Sequence, residues 1–257
     1  MINLNIEVGD FVTRKSYNND TIFKVLSISD DMVYLKGVHV RLLADSKLND
    51  LKKVEEVTDD FTYSSLTKET REEYFYLPGK ILHIDGDNEY LDKCLKFYKE
   101  NGVYAIGKKI NEEEIANQII SLLEEYRPDI VIITGHDAFY KKKGKKEDIN
   151  SYKNSKNFAK AIRAARKYEK SQEKLIIIAG ACQSDYEELI KAGANFASSP
   201  KRVNIHALDP AIIAISIALT KRNIPIDIVN ILDKTKYGSD GLGGIITNGL
   251  MYVGFPR

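Results

Sequence analysis

The chain has 257 residues, 43% of them apolar, with 38 Lys and Arg against 37 Asp and Glu, a formal net charge of +1. Such a length fits one large domain or two unequal ones, and the near-even charge gives no reason to expect nucleic acid or a membrane surface as partner. No stretch approaches the roughly 18 consecutive apolar residues of a membrane span, and no secretory leader is evident at the N-terminus. Two cysteines, Cys94 and Cys182, are too few for a disulfide framework or a four-thiolate zinc site and suit a reducing, intracellular setting. Neither a metal nor a cofactor is expected.

Residues 1–57 read as a small SH3-like β module. Strands are predicted from Gly9, over Thr21 to Leu26 and over Met32 to Gly37, with turns at Tyr17-Asn18-Asn19-Asp20 and Asp30-Asp31. Residues 58–77 are polar and read as a linker with room for a short helix. From Pro78 the pattern becomes strand–helix alternation, so that 78–257 reads as an α/β domain. Lys80 to Ile84 is its first strand. The helix after it carries Leu91, Cys94, Leu95 and Tyr98 on one face. Val103 to Ile106 is the second strand, and residues 112–126 form a helix stopped by Pro128. Asp129 to Thr134 is the third strand, followed by the lysine-rich loop Lys141 to Lys146 and a basic helix over 154–169. Leu175 to Ala179 is the fourth strand, Asn195 to Ser198 the fifth. Asp209 and Pro210 then suit the N-cap and first turn of an apolar helix. Beyond Pro225 only Met251 to Val253 has clear β character. The wholly apolar third and fourth strands imply an open, mostly parallel sheet with helices on both faces.

Active sites of open α/β sheets lie at the carboxyl ends of the strands. His136 ends the third strand and Cys182 the fourth. The usual doubly wound order makes these strands neighbours, about 4.8 Å apart, bringing an imidazole and a thiol to one edge. A thiolate attacks, and a nearby imidazole or helix N-terminus lowers its pKa. The pattern alone balances this role against an ordinary buried thiol; Cys94, on a helix's apolar stripe, reads as core. Asp85 and Asp87 end the first strand, where the pattern alone suits a helix N-cap and a solvated loop. Ser198 and Ser199 could form a pocket wall. Asp209 is first a cap, with a pocket role in reserve. His206 is a rival base that no strand end places beside Cys182; His39 and His83 read as structural. The glycines at 238, 241, 243 and 244 do not form a dinucleotide motif.

A hydrophobic strand ending in His and a later one ending in Ala-Cys resemble the caspase, legumain and gingipain peptidases. The blocks here are Ile130 to His136 and Leu175 to Cys182. More closely, the chain resembles the YabG family of sporulation-specific proteases. The resemblance is carried by Gly9 to Tyr17, Val40 to Asp45, His83-Ile84-Asp85-Gly86-Asp87, Thr134-Gly135-His136-Asp137-Ala138, Ala179 to Ser184 and Gly193 to Pro210. It implies a caspase-like catalytic domain and a cysteine endopeptidase that cleaves after Arg, with Asp85 first, Asp87 second and Asp209 in reserve as the carboxylate that would face the guanidinium. Implied substrates are spore coat and cortex-associated proteins, in the mother-cell cytoplasm and spore coat. Self-cleavage, with Arg71 as a plausible point, belongs to the same expectation. Where caspase-like enzymes place Gly after the histidine, this chain has Asp137; its N–H can still bind an oxyanion if its carboxylate points away, with the Cys182 N–H as the other donor. The rivals are an amidase or glutaminase-type cysteine hydrolase, whose Gly-x-Cys-x-Gly turn is incomplete here, and a non-enzymatic pairing of SH3-like and receiver-like modules.

Overall fold

The computed structural model describes residues 6–55, 57 and 74–254. The chain divides into two compact units, Met1–Thr62 and Tyr63–Arg257. The expected linker over 58–77, and Arg71 within it, fall mostly outside the described residues; its last three residues, Phe75–Leu77, form a strand.

The first unit is a five-stranded antiparallel sheet. Its strands are β1 (Phe11–Arg14), β2 (Phe23–Ser29), β3 (Met32–Gly37), β4 (Leu43–Lys47) and β5 (Leu51–Lys53), in the order β4-β3-β2-β1-β5. Alternation buries Val12, Phe23, Val25, Val33, Leu35 and Leu51. Asn18, Asn19 and Asp30 take left-handed conformations at the two predicted turns, which short polar side chains tolerate.

The second unit opens with β6 (Phe75–Leu77) and β7 (Ile81–Asp85), followed by α1 (Asn88–Glu100), β8 (Ala105–Lys109), α2 (Ile115–Tyr126) and β9 (Ile130–Thr134). It continues through α3 (Ser155–Tyr168), β10 (Ile176–Ala179), α4 (Tyr186–Lys191), β11 (Phe196–Ser198) and α5 (Asp209–Leu219). The tail adds α6 (Ile228–Asp233), α7 (Gly238–Gly241), β12 (Leu242–Gly244) and β13 (Tyr252–Gly254). The main sheet has the order β12-β11-β10-β9-β7-β8. All its pairings are parallel except that of β12 with β11. The third predicted strand, β9, therefore lies between the first and the fourth.

Period-two alternation sends the strand side chains into two cores. Leu82, Ile84, Val131, Ile133, Ile177 and Ala179 meet the apolar faces of α2, α3 and α4. Ile81, Ile130, Ile132, Ile176 and Ile178 meet α1, α5 and α6. Burying each such isoleucine contributes about 1.5–3 kcal/mol. The second strand begins two residues later than periodicity suggests, because the Val103 N–H still serves the Tyr98 carbonyl at the end of α1. Asp209 is the first residue of α5 rather than its cap; its carboxylate turns back to the His206 N–H at 2.8 Å. In the tail, β12 crosses β11 as Gly243 and Gly244, since a Cβ on Gly244 would come within 2.5 Å of the Asn195 carbonyl. The predicted late strand pairs with β6 as a separate ribbon.

Ile132 sits in the central strand with no exposed surface. Ile132→Ala should lower the unfolding free energy by roughly 2–5 kcal/mol, measured by urea denaturation, with no change in the slope of the transition.

Candidate active site

Both residues of the expected dyad stand at the carboxyl edge of the parallel sheet. His136 lies three residues beyond Ile133 on β9, Cys182 three beyond Ala179 on β10, and Ile133 and Ala179 are register partners. The Gly180 N–H extends the ladder to the Ile133 carbonyl at 3.0 Å, and there the chain turns away. Gly180 has a φ of +106°, and a Cβ on it would meet Leu189 at 2.9 Å and Ser198 at 3.1 Å, so only glycine fits this turn.

His136 is held from several sides. Its Nε2 lies 3.0 Å from Asp87 Oδ2, its N–H donates to Glu112 Oε1 at 2.7 Å, and its carbonyl accepts from Asn154 Nδ2 at 2.8 Å. The Tyr90 ring packs on the imidazole with centroids 5.5 Å apart. Asp87 Oδ1 meanwhile accepts the Glu89 and Tyr90 N–H groups at the start of α1. One carboxylate thus both caps a helix and fixes an imidazole. An ionised carboxylate only accepts, so this pairing places the proton on Nε2. Nδ1 is then the basic nitrogen; it is buried and meets no hydrogen-bond partner among the described residues.

Cys182 is fully buried. Its sulfur accepts the Ile205 N–H at 3.3 Å and faces the Ile205 carbonyl at 3.7 Å. The segment between β11 and α5 therefore crosses the sheet edge as a strap over the thiol. Arg202 pins its start: Nε donates to the Tyr152 hydroxyl at 2.6 Å, and Nη2 pairs with Glu187 at 2.5 Å and Asp185 at 3.3 Å. Asp209 pins its end, accepting the His206 N–H and, through its other oxygen, the Lys236 N–H at 3.0 Å. The strap brings His206 next to the residue that covers the sulfur, which counting strand ends does not reveal; its Nδ1 accepts the Leu208 N–H at 3.2 Å. Cys94 is a core residue beneath the same strap, its sulfur 3.4 Å from the Ala207 carbonyl.

The carboxylate of Asp137 points inward. Oδ1 accepts the Ala138 and Asn154 N–H groups at 2.9 and 2.7 Å; Oδ2 accepts the Ser155 and Ser184 hydroxyls at 2.5 and 2.9 Å. Burial pushes its pKa above the ordinary carboxylate value, and these donors pull against that shift. Ser184 Oγ in turn accepts the Ala181 N–H at 2.9 Å. The residue after His136 and the turn around Cys182 are thereby tied together.

The other candidates have internal partners. Asp85 is fully buried and accepts the Thr134 hydroxyl at 2.8 Å and the Asp87 N–H at 2.9 Å, with His83 Nε2 at 3.5 Å. His83 joins Tyr98 and Thr134 in the same buried chain, in keeping with a structural role. Ser199 Oγ links the Cys182 turn to the strap, accepting the Gln183 N–H at 2.9 Å and donating to the Val203 carbonyl at 2.7 Å. Ser198 is buried, its hydroxyl without a partner among the described residues; neither serine lines an open cleft here. Two participants escape sequence reading altogether: Glu112, which precedes α2, and Ile205, which lies in a segment with no periodicity. Among the described residues there is no cluster of three or more His, Cys, Asp or Glu able to hold a metal ion, and no helix is long and apolar enough to cross a membrane.

Comparison with known proteins places the chain in a peptidase family. The model of the YabG peptidase U57 family matches residues 7–70 and 57–256. The sporulation-specific protease YabG of Bacillus subtilis (strain 168) is 41% identical over 286 residues, spanning 98% of this chain and 99% of that protein.

Asp137→Ala should strand several buried donors at a cost of about 1–3 kcal/mol each. Urea denaturation should show a much larger loss than for Asp137→Asn, which keeps one acceptor oxygen; equal losses would mean that the carboxylate does not hold the two loops.

Proposed function

Because the chain belongs to the YabG peptidase family, we propose that this protease is a cysteine endopeptidase of sporulation, with Cys182 as nucleophile and His136 as base. The observation that carries the reading is the imidazole: Asp87 holds Nε2 while Nδ1 stays buried and unpartnered, at an edge position adjacent to the thiol's. Nδ1 takes the thiol proton as Cys182 Sγ attacks the peptide carbonyl carbon. The carbonyl π pair moves to oxygen, met by the Asp137 and Cys182 N–H groups. Collapse expels the amine, which receives the proton from Nδ1 and leaves a thioester. Water, deprotonated by the same nitrogen, then releases the acid and restores the thiol. The Ile205 N–H and carbonyl now occupy the sulfur, and the strap must lift before a substrate carbonyl can take their place.

Cleavage after Arg is part of the proposal and rests on the family resemblance. Asp85, Asp87 and Asp209, the carboxylates first considered for that pocket, are all engaged by internal donors, so a guanidinium must displace one of them or find another. Spore coat and cortex-associated proteins are the proposed substrates, in the mother-cell cytoplasm and spore coat, and self-cleavage is proposed with them.

The test is cleavage of a candidate coat protein by the purified chain, with the new termini sequenced. Cys182→Ala and His136→Ala should abolish cleavage, and their combination should be no worse than either. Cys94→Ala should remain active. Asp87→Asn should lower kcat by roughly 100-fold or more and alter the pH profile. Near-wild-type cleavage by Cys182→Ala would overturn the mechanism; termini following neutral or acidic residues would overturn the Arg assignment alone.

A further inference from the structure

We infer that Glu112 is a positioning residue for the reaction proposed above, setting the His136–Asp137 peptide so that the Asp137 N–H faces the developing oxyanion. The inference rests on that reading of Cys182 and His136. Three consecutive N–H groups follow β9 at this turn. That of His136 is taken by Glu112 Oε1 at 2.7 Å, and that of Ala138 by the carboxylate of Asp137. The Asp137 N–H between them meets no acceptor among the described residues. The turn therefore leaves one donor unspent, and two carboxylates decide which one it is.

Glu112 reaches this place from far off in the sheet. It stands after β8, the edge strand, and its side chain crosses the end of β7 to bond a residue of the β9 loop. Two glycines keep that lane open. A Cβ on Gly86 would come within 2.5 Å of Glu112 Oε1, and one on Gly135 would also collide with that oxygen. Each glycine stands directly after a strand that Glu112 passes. The carboxylate is half-exposed, so solvent screens its charge from the oxyanion, while its bond to the N–H is charge-assisted and short.

The experiment compares Glu112→Ala, Glu112→Gln and Gly86→Ala on one peptide that the wild type cleaves. Misplacement of a catalytic group by about 1 Å costs on the order of 100-fold. Glu112→Ala should accordingly lower kcat by roughly 10- to 100-fold and leave KM unchanged. Glu112→Gln keeps an acceptor oxygen and should restore most of the loss. Gly86→Ala should push the carboxylate aside and slow the wild-type background, yet add nothing to Glu112→Ala, because both act through one contact. Unchanged circular dichroism and an unchanged rate of Cys182 alkylation by iodoacetamide would show that the fold and the thiol are intact. Wild-type kcat in Glu112→Ala would overturn the inference. So would a Gln variant as slow as the Ala variant with a raised KM, which would make Glu112 a binding site for substrate charge. Cleavage by Cys182→Ala in the same assay would instead overturn the underlying mechanism.

Discussion

The carboxyl edge of the parallel sheet depends on the buried carboxylate of Asp137. Removing a charged group from water costs several kcal/mol unless good hydrogen bonds offset it. Asp137 finds four donors, from Ala138, Asn154, Ser155 and Ser184. These come from its own loop, from the start of α3 and from the turn that carries Cys182. The two halves of the proposed dyad belong to different strand ends, and this junction ties the loop after His136 directly to the turn around Cys182. The bond to Ser184 makes them one rigid unit. It also gives a structural reason for an aspartate directly after the histidine: its carboxylate is used below the edge, which leaves the backbone N–H for the proposed oxyanion role.

A similar economy governs Asp87. A helix start wants an acceptor for its free N–H groups, and an imidazole base wants one for the nitrogen that faces away from the nucleophile. By standing at the end of β7, next to β9, Asp87 meets both needs with one carboxylate. Asp85 supports it by holding the Asp87 N–H, and is itself neighboured by His83 and Thr134. The polar groups at this edge are layered: a buried set fixes the backbone, and a second set, fixed in turn, holds the imidazole.

Much of this was legible in the amino-acid sequence, for definite reasons. Ile130 to Ile133 and Leu175 to Ala179 are apolar throughout, so they had to be central strands, and the residues closing them, His136 and Cys182, had to share an edge. Asp87 was visible as an aspartate after a strand, but cap, pocket and imidazole partner all predict the same residue. Only the distance of 3.0 Å to Nε2 separates them. Glu112 could not be found, because its contact spans 24 residues of chain and crosses an intervening strand; its one trace is the pair of glycines at 86 and 135, each of which has a local explanation as a turn. The strap over Cys182 was equally hidden. Ser199 to Leu208 has no periodicity, and its course is set by pins at either end, Arg202 and Asp209, which reach Tyr152, Asp185, Glu187 and Lys236 elsewhere in the chain.

The strap has a chemical consequence beyond access for substrate. A thiolate is the form that peroxide, disulfides and soft metal ions attack, and susceptibility follows both charge and exposure. Cys182 has no exposed surface while Ile205 rests on it. For the proposed nucleophile, cover by the strap thus limits attack by such reagents whatever the reactivity of the sulfur. A nucleophile can in this way be kept sharp without being kept bare.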